Sequence, residues 1–212
     1  MDRVSRVEVL RASPPLFESR WLDRLTRVRP FVPPLIFGPA ILLVAAAAIA
    51  RLSGGDAVLA FVGGYAFWTL CEYWIHRVVF HLQPRSRHGA RLHWIVHGVH
   101  HDHPNDPLRL VMPPIVTVPL GTAFLGLFVL VLGTPIAWGV AAGFFAGYLF
   151  YDLLHYRLHH ARSKRRVGRW LRQLHMRHHF EDDTRCFGVS APWWDTVFGT
   201  STHRGRPVKG RR

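Results

Sequence analysis

Cysteine is nearly missing from this chain. Its 212 residues hold two, Cys71 and Cys186. They lie far apart without CxxC spacing, so no disulfide framework is implied. Both are expected to be reduced, Cys71 inside a predicted membrane helix and Cys186 in a basic tail. Acidic residues are also few, 13 against 27 basic ones, which leaves a formal charge of +14. A charge of that size is an ordinary mark of nucleic-acid binding, but no recognised motif for it is present and long apolar runs argue against it. The first 30 residues lack the short apolar core and small-residue cleavage site of a secretory signal. The chain is nonetheless 49% hydrophobic. A soluble globule rarely combines that with such charge. Apolar residues in lipid and basic residues at a membrane surface account for both.

Four stretches reach the roughly 20 residues needed to cross a bilayer core. They run over residues 31–50, 57–75, 111–132 and 136–154, joined as two helical hairpins by short turns at 51–56 and 133–135. Proline sits at helix starts (Pro33, Pro34, Pro113, Pro114, Pro135), where a missing N–H costs little. Pro39 and Pro119 lie deeper and predict kinks. Seven basic residues fall in 1–30, five in 76–110 and fourteen in 155–212, so only Arg51 lies in a turn on the opposite side. The positive-inside rule then places both termini and the central loop in the cytoplasm. The alternative, buried helices of a large soluble core, needs a bigger shell than this chain provides. The expected fold is all-α: four transmembrane helices carrying a cytosolic helical cap. Residues 1–30 form a basic cytosolic segment, 31–200 the membrane domain and 201–212 a basic tail.

Histidine is abundant. Ten of the fifteen fall in four clusters: His76/His81, His97/His100/His101, His155/His159 and His175/His178/His179. All lie in the predicted cytoplasmic portions. The second and fourth helices, extended to His81 and His160, are each about 37 Å long, overshooting the hydrocarbon by a turn or two, and the histidines occupy that overshoot. His155 and His159, at i and i+4, share a helix face. Each HxxHH run is expected to converge on one face as well. His76 and His81, five apart, predict a helix end or an irregularity. Neutral imidazole is the commonest metal ligand, and ten are too many for one ion, so two metals are expected with about five ligands each. His88, His93, His103, His160 and His203 fall outside the pattern, with His160 and His93 as reserves. Imidazole suits zinc, copper, iron and nickel alike, and ligand type alone does not choose. Carboxylates near the clusters are candidates to orient the imidazole N–H groups: Glu72, Asp106 and Asp152, with Asp102 and Asp195. Glu72 and Asp152 end apolar helices, where a charge needs a partner.

These runs resemble the integral-membrane fatty acid hydroxylase superfamily, whose pattern is an HxxxH or Hx4H box followed by two HxxHH boxes. EYWIHRVVFH (72–81), HGVHHDHPNDPLRLVMPP (97–114), YDLLHYRLHH (151–160), HMRHHF (175–180) and FGVSAPWWDTVFGT (187–200) look like its fatty acid 2-hydroxylase branch. The resemblance spans about residues 68–200. It implies two iron ions, with zinc sometimes in their place. It implies O2 as co-substrate and hydroxylation at carbon 2 of a long acyl chain, free or in a ceramide-like lipid. No haem-binding segment of the fused cytochrome b5 type precedes the first helix, so a separate donor, cytochrome b5-like or ferredoxin-like, is expected. Arg109 is read as a membrane-surface anchor or the partner of a carboxyl or phosphate. The run 162–169 (RSKRRVGR) is read as touching anionic lipid headgroups or the donor. Trp68, Trp74, Tyr156, Trp193 and Trp194 suit an interfacial aromatic belt or, for the last pair, a lipid entry. Competing readings are a sterol or carotenoid oxidase of the same superfamily, and a zinc-dependent membrane hydrolase or non-catalytic metal carrier.

Overall fold

The computed structural model describes residues 5–202, so His203 and most of the basic C-terminal tail lie outside the described residues. Among the described residues there are helices and no strand. In chain order the α-helices are α1 (Arg6–Arg11), α2 (Arg20–Leu25), α3 (Val32–Ile49), α4 (Gly54–Trp74), α5 (Arg87–His93), α6 (Val99–Asp102), α7 (Pro114–Leu132), α8 (Ile136–His160), α9 (Arg166–Phe180) and α10 (Trp193–Val197). Two π-helical segments interrupt them, Ile75–Phe80 directly after α4 and Trp94–Gly98 between α5 and α6. Contacts divide the chain into two compact units. Among the described residues, one comprises 5–12, 72–106 and 157–202. The other comprises Ser13–Cys71 and Pro107–Tyr156.

The second unit holds most of the four long apolar helices, and each of these is long and apolar enough to cross a membrane: Val32–Ile49, Gly54–Phe80, Pro114–Leu132 and Ile136–His160. The chain is an integral membrane protein. Two boundaries differ from the sequence expectation for local reasons. The second helix starts at Gly54 rather than 57, because Ser53 Oγ accepts the Asp56 N–H (3.1 Å) and caps the earlier turn. The third starts at Pro114 rather than 111: Pro113 is extended, and the residue before a proline resists helix. Pro39 and Pro119 lie inside α3 and α7, each of which continues past its proline as one helix.

α8 is the central helix of this unit. Ala137, Ala141, Ala142, Phe144, Phe145 and Tyr148 are all buried. Its contact with α4 is backbone to backbone. A Cβ on Gly143 would lie 1.8 Å from Phe61 O, and one on Gly64 would lie 2.0 Å from Val140 O. Small residues at such crossings let membrane helices pack by van der Waals contact, the main force available where lipid removes the hydrophobic one. Aromatic rings fill the rest: Trp68 against Phe144 (5.2 Å) and Tyr148 (5.4 Å), Phe37 against Tyr148 (4.7 Å), and Phe124 against Phe144 (4.7 Å). Outward positions carry Leu42, Leu43, Leu59, Leu130 and Val131, all well exposed and suited to lipid.

The other unit is built on α5, α6, α9, α10 and the two π segments. Its loop from 181 to 201 is tied down by Asp195. The Oδ1 of Asp195 accepts the Phe187 N–H (2.8 Å) and the Thr200 hydroxyl (2.7 Å), and its Oδ2 accepts the Gly188 N–H (2.9 Å). Glu72 holds the same loop from the other side, accepting the Ser190 N–H (2.7 Å) and hydroxyl. Both cysteines are free, but Cys186 is buried in this loop rather than lying in a tail, with a left-handed φ of 59°.

Candidate metal centre

The ten clustered histidines gather in two groups of five. One is His76, His81, His97, His101 and His178. The other is His100, His155, His159, His175 and His179. Within each group the five ligand atoms lie within 4.8 Å of one another. Among the described residues His88, His93, His103 and His160 join neither group.

The local winding explains which residue goes where. His76 is the second residue of the π-helical segment Ile75–Phe80 and His81 caps its end, with the His81 N–H donating to the His76 carbonyl (3.2 Å). The wider i→i+5 turn brings a five-residue spacing round to one side, so the irregularity expected at this box is a π bulge. The HxxHH boxes do not each converge on one site, as the sequence reading had it. His97 and His101 enter the first group while His100 enters the second. In the third box His175 and His179 enter the second group while His178 enters the first. At about 100° per residue, i+4 lies about 40° to one side of i and i+3 about 60° to the other, so each box splits its ligands two and one. The two groups meet where the His101 and His179 rings stack, 4.2 Å between centroids.

The donor set fits metal ions. Nδ1 of His76 lies 2.6 Å from Phe187 O, and Nδ1 of His178 lies 2.6 Å from Arg185 O. Such a bond fixes Nδ1 as the protonated nitrogen and leaves Nε2 with a lone pair. Nε2 of His76, His81 and His178, and both ring nitrogens of His179, are buried without a hydrogen-bond partner. Buried polar atoms are normally paired, so orphaned ring nitrogens in both groups fit atoms that a cation could bind. In each group two Nε2 atoms also face one another, His97 with His101 (3.0 Å) and His159 with His175 (2.8 Å). Burial pushes the His81 imidazole down to about 3 and that of His178 to about 4. It also holds His97, His101 and His179 well below their ordinary value, helped by the neighbouring imidazoles. These rings are therefore neutral near pH 7, the state in which imidazole binds metal.

Of the carboxylates named from sequence, Glu72, Asp152 and Asp195 hold backbone in the hydrogen bonds the structure shows. Glu72 binds Ser190, and Asp152, fully buried, accepts the Met112 N–H (3.1 Å). Asp106 is buried in the loop after α6, and Asp102 accepts the Trp94 indole N–H (2.8 Å). Asp195 acts at one remove, fixing Phe187, whose carbonyl takes the His76 ring. The carbonyls of Phe187 and Arg185 were not legible, because any residue supplies one. The only signal was the FGVS run that follows. Arg109 does pair with a carboxyl, that of Asp23 (2.7 Å). A cavity of about 260 Å³, lined by Arg77, His81, Gln83, Asp183, Thr184 and Phe187, brings solvent to the edge of the first group.

The sequence profile described as "Fatty acid hydroxylase" matches residues 61–200. The chain is 36% identical over 188 residues to dihydroceramide fatty acyl 2-hydroxylase FAH2 of Arabidopsis thaliana, covering 88% of this chain and 79% of that one. It is 38% identical over 148 residues to the fatty acid 2-hydroxylase of Homo sapiens, covering 67% of this chain and 39% of that one. Among solved structures it resembles full-length scs7p, in which only the hydroxylase domain is visible. The TM-score is 0.82 at 34% identity, over 90% of this chain and 73% of that one.

Proposed function

Since the chain belongs to the fatty acid hydroxylase family, we propose that it hydroxylates a long-chain fatty acyl group, free or in a ceramide-like lipid, at carbon 2. The reaction consumes O2, two protons and two electrons from a separate donor protein and yields the 2-hydroxyacyl product and water. The observation that carries this reading is the pair of five-imidazole groups in contact through His101 and His179. The ligands are the ten grouped histidines. Five imidazoles in each group would exceed the four ligands of a closed structural zinc site. Iron bound there supplies the oxidising power to break a strong C–H bond with O2.

The protein's own part is placement. Phe187 O and Arg185 O keep His76 and His178 in one tautomer and orientation. Asp195 and Glu72 fix the loop that carries those carbonyls. Asp152 anchors Met112, at the entry to α7, from a point one turn before His155 on α8. A misfit of ~1 Å between acyl carbon and site costs ~100-fold in rate, which is why so many buried hydrogen bonds go to holding backbone. Residues 31–200 make up the hydroxylase domain, with basic segments at 1–30 and 201–212. Both termini face the cytoplasm, a reading supported by the distribution of arginine. The cationic run 162–169 meets anionic headgroups.

The test is expression followed by mass spectrometry of host lipids, with metal analysis of the purified protein. Accumulation of 2-hydroxyacyl lipids and about two irons per chain is the expected result. Hydroxylated sterols or carotenoids instead would reassign the substrate. Tightly held zinc with no O2 consumption in the presence of iron and reduced donor would make the protein a zinc enzyme or metal carrier. His100→Ala and His178→Ala, one from each group, are each expected to abolish product while membrane insertion is retained. Activity persisting in both would remove these rings from the site.

A further inference from the structure

α2 is amphipathic the wrong way round for a helix in water. Its one acidic residue, Asp23, is turned inward, while Trp21 (76% exposed), Leu22 and Leu25 face out. The inward side is a polar lock. Asp23 accepts the Leu16 N–H (2.8 Å), Arg27 Nε (2.8 Å) and an Arg109 nitrogen (2.7 Å). Arg109 also donates to the Thr26 hydroxyl (2.9 Å), and the Val28 N–H donates to Leu108 O (2.7 Å). These bonds fix which side of α2 faces outward, so the exposed Trp and Leu are not an accident of a loose segment.

The apolar side is continuous with lipid-facing surface. Six residues beyond Leu25, Phe31 is exposed at the threshold of α3, and Leu35 is exposed one turn further on. α3 is one of the four spanning helices. Interleaved with the apolar residues are Arg20, Arg24 and Arg29, all exposed. Tryptophan beside arginine next to a transmembrane helix is the composition of the lipid headgroup zone, where an indole has one face in hydrocarbon and a guanidinium meets phosphate.

We propose that α2 lies in the plane of the bilayer interface, with Trp21, Leu22 and Leu25 seated among the upper acyl chains and Arg20, Arg24 and Arg29 bound to anionic headgroups. The Asp23–Arg109 lock makes this contact a fixed strut. It joins the interface to the segment 108–114 that opens α7, so the depth of that segment is set by the membrane surface.

The unaltered chain, reconstituted in phosphatidylcholine vesicles with a minority of phosphatidylglycerol and a diazirine-bearing phospholipid, tests this directly. After irradiation, adducts are mapped by mass spectrometry, and hydroxyl-radical oxidation of Trp21 is measured in parallel. Lipid adducts on 21–25 at the level found on Phe31, with Trp21 oxidised several-fold less than in the same chain unfolded in urea, is the expected result. Adducts confined to the spanning helices, with Trp21 freely oxidised, would overturn it. Trp21 protected without lipid adducts would also overturn it, and would assign the face to a second copy of the chain. In an Arg20→Gln, Arg24→Gln, Arg29→Gln variant the adduct yield on 21–25 is expected to lose its dependence on phosphatidylglycerol. An unchanged dependence would remove the headgroup contacts from the proposal.

Discussion

Asp195 touches no candidate ligand, yet the geometry of His76 passes through it. Its two oxygens hold Phe187 and Gly188 by their N–H groups, and the Phe187 carbonyl receives the His76 ring. Burial raises the Asp195 carboxyl against the hydrogen bonds from Thr200, Gly188 and Phe187, so its charge depends on those donors staying in place. Asp195→Asn turns one acceptor into a donor facing an N–H. Loss of an outer partner of a metal-bound histidine costs about 10- to 100-fold in metal affinity, and that is the expected result in a competition titration with a chromogenic chelator. An affinity within twofold of the wild type would mean that Phe187 is held by the rest of the loop. At this scale the sequence was informative about side chains that act by their own chemistry, the histidines above all. It was silent on those that act through backbone, because a carbonyl carries no residue identity. Asp195 was visible only as one carboxylate among several.

Whole elements were the most legible. α3 and α8 follow the apolar stretches to within a few residues, because about 20 apolar residues have few places to go except a helix in lipid or a core. The five-residue spacing of His76 and His81 marked an irregularity, and the π segment is that irregularity. The splitting of each HxxHH box was not anticipated, since a shared face was taken as a single direction and helical phase is finer than that. The α4–α8 crossing was legible only as a scatter of glycines. A methyl group at Gly143 would collide with Phe61 O at 1.8 Å. Gly143→Ala is expected to lower the thermal midpoint in detergent, at an overpacking cost of about 1–3 kcal/mol. Gly126→Ala, where a Cβ meets nothing within 4 Å, is the matched control and is expected to hold or slightly raise it. Element α2 carries a pH dependence of its own. Burial alone would raise the Asp23 carboxyl, but the bonds from Arg109, Arg27 and Leu16 outweigh it and hold the group well below the usual carboxylate range. A depressed folded value means the lock contributes fully above the unfolded value of about 4 and fades as pH falls below it. Limited proteolysis of residues 13–28 is therefore expected to accelerate as pH is lowered through that range with an acid-active protease. In Asp23→Asn it is expected to be fast at every pH.

At the scale of the molecule, the metal-ligating role proposed for the histidines would tie stability to loading. Seven buried and three half-buried imidazoles with several unpartnered nitrogens are a cost that a bound cation would offset, and a ligand that binds only the folded state stabilises it by mass action. Stripping metal with a chelator at neutral pH is expected to lower the thermal midpoint, and iron or zinc to restore it. The two-and-one sharing of each HxxHH box carries that coupling further. Adjacent residues on one helical turn, His100 beside His101 and His178 beside His179, fall in different groups, so in the proposed two-metal centre they would serve different ions. The first ion to arrive therefore freezes the rotamers and backbone of half the second ion's cage. Occupancy is expected to rise steeply, with a Hill coefficient above one and little singly filled protein at any concentration. A chain built this way behaves as a switch between empty and full.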